Sequence, residues 1–307
     1  MSHHQALVLA RSGRMGQARV MWERAIASAR QAGYRETAAN YQAAAAVCEA
    51  HFGNATAAKE RARAALGLAK GRDVEYAAAF ALALSGELAE SQRLAADLEK
   101  RFPEAPVQFE YLPTLHALTA LARRAPPEAV ERLQPAVPYD FALPGTAFFG
   151  MFGGLYPAYI RGEAYLAAGR GQEAAAEFQK VLDRRGIVLA DPIGALAYLQ
   201  LGRVYVVSGD TTKAKSSYQA FLTLWKDADT DIPVLKQARA EYAKLWPAMR
   251  ERFDPRICRQ ICHARTIRYD ATTMARRDMV RVESGGEACW TRAEWTRSSR
   301  EGSVRPT

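Results

Sequence analysis

The chain is poor in the residues from which reactive sites are usually assembled. It carries 4 cysteines and 5 histidines in 307 residues. Cys48 stands alone and Cys258, Cys262 and Cys289 fall near the end, a count and spacing that give no disulfide framework. His3, His4, His51, His116 and His263 are scattered, which leaves a catalytic triad or a metal cluster nothing to form around. No HRD or DFG segment, no lysine in a VAIK context, no Gly-x-Ser-x-Gly elbow and no His-Glu-x-x-His pair occurs, so catalytic and cofactor-binding residues are not expected. Long apolar runs are missing too. The nearest, TAFFGMFGGLYPAY, falls short of the roughly 20 residues that span a bilayer and is broken by Gly and Pro. The first residues lack the basic and apolar regions of an export signal, so the expected location is cytoplasmic.

What is present is a basic excess, unevenly spread. The formal charge is +9. Residues 254–307 hold 11 Arg, no Lys and 7 acids, a net of +4, which leaves +5 for the much longer remainder. This terminal stretch loses the Ala richness and periodicity of the rest, and residues 247–307 read as a largely disordered tail. Two other uses of it can be weighed. Cys258, Cys262, His263 and Cys289 just reach a zinc ligand count, but adjacent Cys and His rarely share one ion. Arg with Trp290 and Trp295 suits phosphates and bases, but acids interleave throughout. Neither zinc nor nucleic acid is the expected ligand.

The body of the chain repeats. Laying YLQLGRVYVVSGDTTKAKSSYQAFL (198–222) under AYIRGEAYLAAGRGQEAAAEFQKVL (158–182) pairs Gly162 with Gly202, Tyr165 with Tyr205, Gly169 with Gly209, Ala174 with Ala214, and Phe178 with Tyr218. The spacing of 40 is that of a helical hairpin array. A glycine inside the first helix costs about 1 kcal/mol relative to Ala, so its recurrence marks a close helix approach. Gly169 and Gly209 suit the left-handed residue that closes a helix. Asp210 suits the polar start of the next one. Weaker copies anchor at Ala18, Ala58, Ser91 and Ala129, making six degenerate hairpins. The stripe Ile232, Leu235, Ala238, Tyr242, Leu245 adds a capping helix.

The GRGQEA stretch at 169–174 is therefore a bend between helices. A dinucleotide loop needs a preceding strand, and YIRGEAYLAA is helical. The aromatic segment 138–159 coincides with the longest gap between copies. Its rings serve either as a plug between the fourth and fifth hairpins or as an apolar binding surface, and Tyr156 belongs to it. First helices of such an array line the concave side, so Tyr156, Tyr159, Glu163, Leu199 and Arg203 are the candidate contacts for a protein or peptide partner.

The order small-Gly, Tyr, Gly, Ala, aromatic resembles the tetratricopeptide repeat. Residues 186–245 resemble the C-terminal repeat region of acidobacterial-type bacterial serine/threonine protein kinases, a region also attached to winged-helix regulators. The resemblance implies an all-α right-handed α-solenoid over residues 1–246, acting as a non-catalytic interaction or sensor module within a larger signalling protein. It also implies an alternative, the C-terminal part of a kinase whose catalytic domain lies elsewhere, and an extracytoplasmic setting where a membrane helix separates the two. The Lys and Asn of repeats that clamp a partner's terminal carboxylate are absent here.

Overall fold

The structure, a computed structural model, describes residues 2–142, 155–245, 279–284 and 287–292. It divides into two compact units, Met1–Pro247 and Ala248–Thr307. The described part of the first is helical. Six hairpins follow one another: α1 (Ser2–Arg11) with α2 (Met15–Gln31), α3 (Arg35–His51) with α4 (Ala55–Leu68), α5 (Arg72–Leu84) with α6 (Leu88–Arg101), α7 (Leu112–Ala122) with α8 (Pro126–Arg132), α9 (Tyr156–Ala167) with α10 (Gly171–Asp183), and, after the short α11 (Arg185–Val188), α12 (Ile193–Val207) with α13 (Thr211–Leu224). A final helix, α14 (Pro233–Lys244), buries Leu235 and Ala238. In the second unit β1 (Met279–Ser284) pairs antiparallel with β2 (Glu287–Arg292), Val282 opposite Cys289, a pairing the tail's composition did not indicate. The remainder of the expected disordered tail, with Cys258, Cys262 and His263, lies outside the described residues.

One register runs through all six hairpins. Five residues before each anchor the backbone is left-handed: Gly13, Gly53, Gly86, Gly169 and Gly209 have φ between 73° and 87°, and Arg124 takes the same place at 60°. The anchors Ala18, Ala58, Ser91, Ala129, Ala174 and Ala214 are all buried. Twelve residues before and four after each anchor sit two further buried residues: Ala6 and Trp22, Ala46 and Ala62, Ala79 and Ala95, Ala117 and Leu133, Gly162 and Phe178, Gly202 and Tyr218. In the last two hairpins the reason for glycine is direct. A Cβ on Gly162 would lie 2.8 Å from the Phe178 ring, and one on Gly202 would lie 2.7 Å from that of Tyr218. The ring occupies the space a methyl group would need. Tyr165 and Tyr205 are half-buried at the hairpin bend, where Arg170 and Lys213 lie over their rings. Asp210 caps α13, accepting from the Lys213 amide at 3.0 Å.

The array closes on itself. Trp225, fully buried, meets Phe52 edge to face at 4.9 Å and donates its indole N–H to the Arg11 carbonyl at 2.9 Å. The Asp229 amide donates to the Gly13 carbonyl at 3.0 Å, and the Val234 amide donates to the Phe52 carbonyl at 3.2 Å. The first amides of a helix have no intrahelical acceptor. That of Gly16 in α2 finds the Asp229 carboxylate at 2.6 Å, a cap supplied from 213 residues away. Gly13 is doubly constrained, since a Cβ there would also strike Ala228 and Trp225. The stretch from Trp225 to Val234, which leads into α14, thus joins the last hairpin to the first two.

Closure brings first helices from opposite sides together, and rings fill the interior. Tyr76 stacks on Tyr111 at 3.8 Å, Phe80 meets Tyr156 at 5.4 Å, and His51 reaches Tyr156 and Tyr159 at 5.9 and 5.7 Å. The fourth hairpin is the irregular one. Pro113 lacks the N–H that would bond the carbonyl four residues back, and the turn Val107–Tyr111 before it widens to π geometry, Leu112 donating to Val107. Its 3-10 turn, Gln134–Tyr139, leads to Asp140, where the buried Arg161 donates to Asp140 at 2.6 Å and to Glu177 at 2.7 Å, with Lys180 adding a second cation at 2.7 Å from Asp140.

Candidate binding site on the inner face

The Ala- and Leu-rich helix α12 carries two polar side chains one turn apart on its inner face, Gln200 and Arg203. In an apolar helix such groups need partners, and a chain of hydrogen bonds supplies them. Arg203 donates Nε and Nη2 to the two carboxylate oxygens of Glu241 on α14, at 3.0 and 3.2 Å. Its Nη1 donates to Gln200 Oε1 at 3.3 Å. Gln200 Nε2 then donates to Glu163 Oε1 at 2.7 Å and to the Tyr159 hydroxyl at 3.2 Å, both on α9. Tyr218 completes the far end by donating its hydroxyl proton to Glu241 at 2.9 Å. The chain links α9, α12, α13 and α14.

It runs along one wall of a cavity of about 210 Å³. Tyr159, Glu163, Leu199 and Arg203 all line it, together with Gln200 and His51. Apolar surface comes from Ala50, Leu84, Leu196 and Val234. The mouth lies where the exposed residues Gly53, Pro233 and Gln237 approach one another, at the join between the ends of the array.

Burial sets the protonation states here. It pushes the Glu163 carboxyl up to about 7, against the pull of Arg203 and of the hydrogen bonds from Tyr159 and Gln200. It pushes His51 down to about 3, so the imidazole is neutral, and its Nε2 is buried with no hydrogen-bond partner among the described residues. Tyr159 is driven well above its ordinary value by burial and then by Glu163. Arg203 is opposed by burial, but the Glu241 contacts outweigh this and raise it. Among the described residues no three His, Cys, Asp or Glu side chains gather as a metal site.

The sequence-based expectation for the concave face needs one correction. Tyr156, Tyr159 and Leu199 point inward but are at most 2% exposed, because the array closes and its interior fills. Tyr156 does not reach the cavity; its hydroxyl bonds Asp191 at 3.2 Å. Tyr159 and Leu199 form wall, and only Glu163 and Arg203 keep partial access to solvent. Phe148, Phe149 and Phe152 of the aromatic segment lie outside the described residues, while Phe141 is half-exposed under Arg184. Sequence reasoning missed Gln200, Glu241 and His51. Gln200 had a visible signal, a lone amide in the apolar run IGALAYLQLG. Glu241 had none, since it lies among the charged residues of a helix read only as a cap.

No family model matches the chain, and no curated protein matches it either. Among solved structures it is similar to the tetratricopeptide domain of P58(IPK), a crystal structure at 2.5 Å, with 12% identity over 82% of this chain and 79% of that one and a TM-score of 0.33. No described helix is long and apolar enough to cross a membrane.

Proposed function

We propose that residues 1–247 form a non-catalytic binding module that takes part of a protein partner into the inner-face cavity. The observation that carries this reading is convergence: one small cavity of mixed polar and apolar lining gathers Glu163, Gln200 and Arg203 in a single hydrogen-bonded chain, with a carboxyl whose proton affinity burial has shifted to neutrality. Its size decides how the partner enters. Sites for drug-sized ligands occupy roughly 300–1,000 Å³, so about 210 Å³ admits a side-chain tip and not a helix. The partner lies across the mouth at Gly53, Pro233 and Gln237 and inserts one residue. In this reading the module belongs to a larger signalling protein of the kind residues 186–245 resemble.

Selection of displayed random peptides on the intact chain tests it. Peptides enriched on the wild type should be lost on Gln237→Trp, which covers the mouth from an exposed helical position, and kept on Arg63→Ala, at an exposed ion pair of α4. Enrichment indifferent to Gln237→Trp would overturn the reading.

A further inference from the structure

We infer that the inner-face cavity is a site for an alkylammonium group, the tip of a lysine or a free primary amine, held by the Glu163 carboxylate. The inference rests on the binding reading above and names the chemistry of what is bound. It comes from a charge balance. Every charged or titratable group on the cavity or its hydrogen-bonded wall can be assigned: Glu163, Arg203 and Glu241, with His51 neutral and Tyr159 and Tyr218 protonated. Arg203, the cation of the set, is committed. It forks onto both oxygens of Glu241 and spends Nη1 on Gln200. Its charge is therefore cancelled by a different carboxylate. Glu163 receives neutral donors, the amide of Gln200 at 2.7 Å and the hydroxyl of Tyr159, and no cation is bonded to it among the described residues. Once Glu163 ionises, the site carries a net charge of −1 and lacks a cation.

An anion would meet the opposite situation. Arg203 keeps two further N–H groups, but its charge is already balanced by Glu241 and an anion would also sit beside Glu163, so a carboxylate or phosphate is disfavoured. The remaining walls suit the methylene stem of an amine: Leu84, Leu196, Leu199 and the ring of Tyr159. The Tyr159 hydroxyl and Gln200 Oε1, on the same wall, add oxygen acceptors beside Glu163 for an ammonium with three protons. Ordinarily a buried carboxyl without a counter-ion stays neutral. The raised proton affinity of Glu163 is that behaviour, and arrival of an ammonium reverses it by releasing the proton.

Titration calorimetry on the full chain tests the inference with two sources of the same group, n-butylamine and an acetylated, amidated lysyl tripeptide, and with butyrate as the anionic control. At pH 8 at least one of the two amines should bind and butyrate should not. Binding by n-butylamine alone identifies a free-amine site, and tighter binding of the peptide identifies a lysine side chain as the natural source. Affinity should fall on going from pH 8 to pH 6, with about half a proton released per site near pH 7 and nearly one near pH 6. Glu163→Gln, which keeps the amide contact, should weaken binding at least about tenfold and abolish the pH dependence while the helical circular dichroism is unchanged. Binding of butyrate, no binding of either amine, or full affinity in Glu163→Gln overturns the ammonium assignment. If the selected peptides are still lost on Gln237→Trp, the binding reading survives that failure; if they are not, both fall.

Discussion

The fourth and fifth hairpins occupy equivalent places in the array and are built from different parts. In the fifth, glycine at 162 faces a phenylalanine at 178, and a second glycine at 169 makes the left-handed bend. In the fourth, Ala117 faces Leu133, and Arg124 makes the bend at φ 60°. Between these two hairpins a larger residue on the first helix goes with a smaller one on the second, as close packing requires where the helices approach. The sum is not held across the array, where Ala46 pairs with Ala62 and Ala6 with Trp22. Identity of residues is free to drift while complementarity holds. Glycine occupies this place only in the last two hairpins, where the facing ring fills the space of a Cβ, and Ala6 against Trp22 shows that a ring does not always demand it.

Several substitutions break or sharpen this comparison. The largest effect lies outside both hairpins, at the closure they share. Trp225→Ala removes the fully buried ring that joins the last hairpin to the first and should cost about 3–5 kcal/mol in chemical denaturation. A loss below 1 kcal/mol would mean that closure adds nothing to stability. Next is Gly162→Ala, which should cost about 1–3 kcal/mol because the new methyl meets Phe178. Adding Phe178→Leu rebuilds the pair of the fourth hairpin, so the double variant should recover much of that loss. Strict additivity of the two changes would contradict the pairing.

A smaller effect distinguishes the site from the scaffold. Glu163 binds its proton more tightly folded than unfolded, so its contribution to stability falls as pH rises from about 4.5 to about 7 and is flat above. Glu163→Gln should be more stable than the wild type at pH 8 by about 1–2 kcal/mol, with little difference at pH 4. Glu110, pushed up to about 7 by burial and then by Asp140, leaves a residual slope of the same sign in the variant. Equal stability at both pH values would argue against a desolvated carboxyl. The smallest effect is at Arg124, where glycine relieves a left-handed backbone. Arg124→Gly should raise the melting temperature slightly, by up to about 1 kcal/mol of stability, whereas Gly169→Arg should lower it.

Much of the scaffold was legible in the sequence because its determinants are local. Gly169, Gly209 and Asp210 act on residues within a turn of themselves, and Gly162 with Phe178 acts across a single hairpin. Closure was not legible. Its partners are the backbone carbonyls of Arg11, Gly13 and Phe52, which every residue type possesses, met from more than 170 positions away. The same closure decided the fate of the candidate site. Facing inward follows from the register, but whether an inward side chain meets solvent or another helix depends on whether the ends of the array join. Tyr156, Tyr159 and Leu199 were buried by a contact written elsewhere in the chain. Glu163 and Arg203 kept access because the join between Phe52 and Val234 leaves a cavity beside it.

The central claim, that a partner meets this chain at the inner-face cavity, is tested most directly by placing a photo-crosslinking residue at position 237 and, in a second protein, at position 20. Position 20 lies exposed on α2, which contributes nothing to the cavity wall. Irradiation with a selected peptide should give a covalent adduct at 237 and none at 20, and the adduct should disappear when the cavity is filled by Leu199→Trp. Adducts at 20 alone, or adducts at 237 that persist in Leu199→Trp, would contradict the account.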